Sequence, residues 1–168
     1  MIRQSIGTVA LLLFMVTAVI AGDLNKEQTR NRKMVRHYAK VMKVDTDFCD
    51  AIARVESDYL SGAYNDNTPK TRKVRNAEDW ISRGVMQTTL ATGRTFNKEI
   101  IGSNDLYVSE KNIVAGVKYI RYLFKNYPDA TFVEIAQLYN LGETRYNKGS
   151  RNQEYVNRFL RAFNSLKK

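Results

Sequence analysis

The chain has 168 residues, of which 43% are hydrophobic and 26% charged, and its formal net charge is +10. That is one domain's length with enough apolar content for a core, which excludes wholesale disorder. With Cys49 the sole cysteine and His37 the sole histidine, an internal disulfide is impossible; a Cys/His zinc site and a Ser-His-Asp triad are poor matches, and no metal or cofactor is expected.

Residues 1–22 read as a secretory signal. "MIRQSIG" carries one Arg and no acid, "TVALLLFMVTAVIA" is continuously apolar, and Val19-Ile20-Ala21 offers a cleavage site. The run from Ile6 to Ala21 is sixteen residues, short of the about 20 that a spanning helix needs, so membrane contact is expected only if this segment stays uncleaved. The domain proper is then 23–168, exported to the periplasm or cell envelope. Its basic surface suits an anionic membrane or an acidic polymer outside the cytoplasm. The basic residues are spread over several segments without a recognition motif, so no nucleic-acid partner is expected.

From Asn25 the pattern is helical: Met34, Val35, Tyr38, Val41 and Met42 recur at three- and four-residue steps, with Lys33, Arg36 and Lys40 opposite. Asp45 or Thr46 can cap a second helix whose stripe is Phe48, Ile52, Val55 and Tyr59, with Cys49 as a buried small hydrophobe. Glu56 borders that stripe, at a seam between core and surface. Between Ser61 and Ile81 the periodicity fails in a long polar loop holding Lys70, Arg72, Lys73 and Arg75.

Helical signals then return. Ser109 can cap a helix carrying Ile113, Val117, Ile120, Phe124 and Tyr127, stopped by Pro128. Thr131 with Glu134 forms a capping box before Phe132, Ile135, Ala136 and Tyr139, and Gly142 closes that helix. Ser150 with Gln153 forms another box before Tyr155, Phe159, Ala162 and Leu166. The expected architecture is mostly α and compact, with at most a small sheet or irregular loop between the Glu56 helix and the Gly84-Val85-Met86-Gln87 segment.

Taken singly, Glu56-Ser57, Gly84-Val85-Met86-Gln87, Leu138 to Gly142 and Tyr155-Val156 are ordinary: a glutamate on an amphipathic helix is usually solvated. Their order is not ordinary. Together with Asn112-Ile113, Gly116 and Tyr119, this series resembles the lytic transglycosylase family of the goose-type lysozyme-like fold, over about Met34 to Phe163. Members share Glu-Ser, Gly-Leu-Met-Gln, an Asn-Ile helix with a Gly and a Tyr, and Ala-Tyr-Asn with a Gly. The departures are Val85 for Leu, Leu138 for Ala, the missing Pro after "GVMQ", and a longer segment between Glu56 and Gly84.

The resemblance implies cleavage of the β-1,4 bond between N-acetylmuramic acid and N-acetylglucosamine in peptidoglycan, leaving a 1,6-anhydro end. Glu56 would be the acid and base. By the same resemblance Tyr139 would orient the Glu56 carboxyl through a hydrogen bond, Met86 would floor the sugar site, and Gln87 would bind or position the sugar. Tyr155 joins the substrate-binding set, as do Ser57 and Asn140, which also hold the local helix ends. Asp58, Asp66 and Asp79 leave a lysozyme-like hydrolysis open, and a non-catalytic peptidoglycan-binding assembly protein is the alternative from another class. The glycan strand is the expected partner, with an envelope-spanning secretion, conjugation or phage machine as a further one.

Overall fold

The computed structural model describes residues 24–67 and 77–167. The signal segment and the Lys70, Arg72, Lys73, Arg75 cluster lie outside the described residues.

Helix α1 (Lys26–Val41) begins at Asn25, whose side chain accepts from the Gln28 N–H while the Gln28 carboxamide accepts from the Asn25 N–H. Helix α2 (Thr46–Ser57) starts at Asp45, whose carboxylate takes the Phe48 N–H at 2.7 Å. The two helices pack together, and Asp50, fully buried on α2, ties them. Its carboxylate pairs with Arg32 at 3.0 Å and Arg36 at 2.8 Å and accepts from the Tyr59 hydroxyl at 2.7 Å. A buried charge left without such partners would cost about 3–5 kcal/mol.

Tyr59, expected on the α2 stripe, lies beyond the helix end. Asp58 (φ 50°) and Tyr59 (φ 63°) are both left-handed, and this turn folds the ring back under α2, where it is buried. The Asn31 carboxamide fastens the turn by donating to the Tyr59 carbonyl at 2.8 Å. Because Glu56 is the penultimate residue of α2, this fastening also fixes where its carboxyl stands.

The only sheet among the described residues is the antiparallel pair β1 (Tyr64–Asp66) and β2 (Ile81–Arg83), joined in the register Asn65 to Ser82. It sits within the long loop, as the sequence allowed. A 3-10 turn (Ala77–Trp80) leads into β2. After β2 come α3 (Leu90–Phe96) and a second 3-10 turn (Ser103–Tyr107). Then follow α4 (Ser109–Asn126), α5 (Phe132–Leu141), α6 (Glu143–Asn147) and α7 (Gln153–Ser165).

The caps of α4 and α7 differ from expectation. Val108, not Ser109, is the flanking residue of α4, and it supplies no side-chain cap. Asn152, not Ser150, caps α7 by accepting the Tyr155 N–H at 3.0 Å. The Ser150 N–H is engaged by the Arg145 carbonyl at 3.0 Å, so the chain is still completing the preceding turn there. The Thr131 and Glu134 box on α5 is present as expected, and Gly142 ends the helix at φ 75°.

Helix α2 is at the centre, packed against α1 on one side and α7 on the other, while α4 contacts α1, α3 and α5. Phe48, Ile52, Ile113, Ile120, Leu123, Leu138 and Phe159 are fully enclosed in the main core. Each such side chain contributes about 2 kcal/mol of apolar burial. Cys49 is buried among them.

Candidate active site

The Gly84-Val85-Met86-Gln87 segment turns sharply after β2, and three side chains from elsewhere in the chain hold its backbone. Ser57 donates its hydroxyl to the Val85 carbonyl at 2.7 Å. Asn112 accepts the Met86 N–H at 2.7 Å and donates to the Arg83 carbonyl and the Thr88 hydroxyl, both at 2.9 Å. Tyr139 donates to the Met86 carbonyl at 2.6 Å. Gly84 is left-handed at φ 77°, and a Cβ there would lie 2.1 Å from the Leu106 carbonyl oxygen. A Cβ on Gly116 of α4 would lie 2.5 Å from the Met86 Cβ, so that glycine lets α4 and the turn meet.

Two expectations are corrected by these contacts. Met86 is completely buried and is absent from the cavity wall: its side chain packs on Gly116, and it anchors the turn instead of flooring a sugar site. Tyr139 does not bond to Glu56, because its hydroxyl is spent on the Met86 carbonyl. The phenol that does reach Glu56 is Tyr155 of α7, donating to Oε1 at 2.6 Å. Helix α7 packs directly on α2, and Asn152 begins it so that Tyr155 falls in its first turn, facing the end of α2.

Glu56 opens onto a cavity of about 490 Å³, whose wall also includes Gln87, Tyr119, Tyr139, Asn140, Tyr155 and Arg158. Ser57 is not on that wall; its hydroxyl faces the Val85 backbone. Asn140 is on it, with its carboxamide oxygen accepting from Asn152 at 2.9 Å. Gln87, left-handed at φ 45°, gives its amide nitrogen to the Ala63 and Gly84 carbonyls at 3.0 and 2.9 Å. The structure therefore brings Glu56, Gln87, Tyr139, Asn140 and Tyr155 together, and sets Ser57 and Met86 behind them as supports.

Burial pushes the Glu56 carboxyl up from 4.5 to about 7, against the smaller opposing pulls of the Tyr155 hydrogen bond and the Arg158 charge. Burial and the neighbouring Glu56 raise Tyr139 and Tyr155 well above the usual phenol value, so both stay protonated donors. Arg158 donates to the Val55 carbonyl, which holds its guanidinium beside the residue preceding Glu56. It is three residues past Tyr155, on the same face of α7, so helical spacing could have found it.

Of the carboxylates left open as partners for Glu56, Asp58 accepts from Gln28 at 2.9 Å and stands off the wall. Asp66 alternates away from its wall-lining neighbours Asn65 and Asn67, and the Asp79 side chain lies outside the description. The carboxylate that does share the wall is Glu154, which no sequence signal beyond its place before Tyr155 marks. The site can thus hold one carboxyl protonated at neutral pH, with phenols and carboxamides around it.

Among solved structures, that of an inactive Glu-to-Gln mutant of the lytic transglycosylase Slt from Pseudomonas aeruginosa is similar, with a TM-score of 0.59 and 19% identity over 79% of this chain and 23% of that one. At that identity the likeness is one of fold, the expected lysozyme-like, mostly α architecture, and the chain spans about a quarter of that protein's length. No curated protein matches the chain. The family of transglycosylase SLT domains matches residues 33–160, a span that takes in α2 with Glu56, the Met86 turn, its Asn112 and Gly116 supports and Tyr155. With that span covering most of the chain, this chain belongs to the transglycosylase SLT domain family.

Proposed function

We propose that this protein cleaves the N-acetylmuramic acid to N-acetylglucosamine β-1,4 bond of peptidoglycan and leaves 1,6-anhydromuramyl ends, with Glu56 as both acid and base. The observation that carries the reading is the Glu56 carboxyl itself: it faces the cavity, is pushed up to about 7 by burial, and is aimed by Tyr155. Such a group keeps its proton near neutrality and can give it away there. As the bond from C1 to the glycosidic oxygen breaks, the Glu56 proton goes to that oxygen. The resulting carboxylate takes the proton of the muramic C6 hydroxyl while that oxygen bonds to C1, so the acid is restored and no water is used. The inactive Pseudomonas Slt form differs by one Glu-to-Gln exchange, which accords with chemistry centred on a carboxyl.

Within this reading Tyr155 orients the acid, while Tyr139, Asn140 and the Gln87 carboxamide oxygen face the sugar. The protein acts in the cell envelope after export through the 1–22 segment, opening the wall locally for a secretion, conjugation or phage apparatus. Glu154 gives a hydrolytic reading its one specific support, because two carboxylates on one wall are what water-using glycosidases employ.

Digestion of purified peptidoglycan by the wild type and by Glu56→Gln, with mass spectrometry of the released ends, tests this. Anhydromuramyl ends from the wild type and none from the variant are expected. Reducing ends would make the protein a hydrolase, and intact peptidoglycan with both proteins would leave only a binding role.

A further inference from the structure

The hairpin that forms one side of the cavity has two unlike faces. Alternation along the paired strands sends Asn65, Asn67, Trp80 and Ser82 the same way, and all four line the cavity. Asn65 and Ser82 are register partners, and the Asn67 N–H bonds to the Trp80 carbonyl at 3.0 Å, which carries the pairing past the strand ends. Carboxamides, a hydroxyl and an indole thus share one surface. This is the composition that holds a pyranose: the indole takes the C–H face of the ring and the amides take its hydroxyls.

From across the cavity, Arg145 of α6 extends its guanidinium over the Trp80 ring, 5.2 Å from the centroid. Helix α6 buries none of its residues, so core packing does not explain this placement. A planar guanidinium matches a carboxylate with two parallel hydrogen bonds. Of the two sugars in the glycan strand, only N-acetylmuramic acid bears a lactyl group, which ends in a carboxylate or in a peptide with carboxylates of its own.

We propose that Trp80 and Arg145 form an outlying subsite that prefers an N-acetylmuramyl residue to N-acetylglucosamine, with the sugar stacked on Trp80 and its carboxylate drawing Arg145 off the indole. The proposal rests on the glycan-cleaving reading above and adds which sugar this end of the groove selects.

Trp80 is the only tryptophan in the chain, so intrinsic tryptophan emission of the full-length protein reports on this surface directly. The Glu56→Gln protein, which holds ligand without turnover, is titrated with a tetrasaccharide of alternating N-acetylglucosamine and N-acetylmuramic acid carrying free lactyl carboxylates, and with chitotetraose. Calorimetry runs in parallel as a measure of binding that does not depend on Trp80. The expected result is a saturable emission change with both ligands and about tenfold tighter binding of the muramyl one. Adding Arg145→Met abolishes that preference while chitotetraose affinity stays within about twofold, and Arg145→Lys retains part of it. Calorimetric binding of the muramyl ligand with silent emission overturns the subsite, as does equal weakening of both ligands by Arg145→Met. In either case the cleaving reading stands if the wild type still digests peptidoglycan. No binding by either method together with no digestion would remove both.

Discussion

At the scale of single residues, the proposed mechanism makes Glu56 and Tyr155 set the pH range of the chemistry. The Glu56 proton is held by burial at about 7, so the first step loses its acid above that value and cleavage falls on the alkaline side. Tyr155 donates to the carboxyl and so favours the ionised form; Tyr155→Phe leaves the proton more firmly held. The variant's alkaline limb is expected to move to higher pH with kcat/KM about tenfold lower near neutrality, read from pH profiles of sugar release. Tyr139→Phe, whose hydroxyl goes to Met86, leaves the limb in place. The same burial weakens the fold. Glu56 titrates at 4.5 ordinarily and at about 7 when folded, so the folded chain holds more protons than the unfolded one between those values, and stability falls as pH rises through that window. Glu56→Gln removes the burden: it is expected to gain about 3 kcal/mol at pH 8 and nothing at pH 4 in urea unfolding.

At the scale of elements, α4 and the Met86 turn meet through a contact with no spare room. Gly116→Ala would set a methyl 2.5 Å from the Met86 Cβ, and Met86 cannot retreat because its backbone is held on both sides, its N–H by Asn112 and its carbonyl by Tyr139. A loss of about 3 kcal/mol is expected in denaturant unfolding, with cleavage reduced in proportion to what the turn moves. Elements were legible where local chemistry decides them. The Asp45 cap of α2 and the Thr131 and Glu134 box of α5 need only neighbouring residues, and both are present. The α7 cap is Asn152 and not Ser150 because Ser150 is claimed by the end of α6, a competition that spacing does not reveal. Met86 and the bonding partner of Tyr139 depart from expectation for a related reason: a motif records which residues recur together but not whether they do so for the substrate or for one another. Trp80, Arg145, Arg158 and Glu154 are not legible in the sequence as a group because the cavity gathers them from distant segments, among which only the spacing of Arg158 from Tyr155 carries a signal.

Over the whole molecule, the mostly α fold and its small sheet followed from periodicity, while the central position of α2 between α1 and α7 did not, since no local pattern encodes which helix lies innermost. The net charge of +10 is a property at this scale. A basic protein on a wall rich in carboxylates gains attraction that salt screens, with a Debye length of about 10 Å at 0.1 M. Binding of the Glu56→Gln protein to whole sacculi is therefore expected to fall about tenfold between low salt and 0.5 M, measured by sedimentation, while chitotetraose binding hardly changes.

The grip of Ser57, Asn112 and Tyr139 on the backbone of the Val85-Met86 turn bears on how such sequences evolve. Hydrogen bonds to main-chain atoms do not read the side chain, so the grip itself tolerates exchange at position 85, where only the packing of the buried side chain sets a limit. The turn is therefore a demand of folding, independent of any chemistry at Glu56. A descendant that lost Glu56 would still need that turn to fold, so under the proposed mechanism Glu56, with Tyr155 behind it, is where an inherited scaffold and an inherited activity part company.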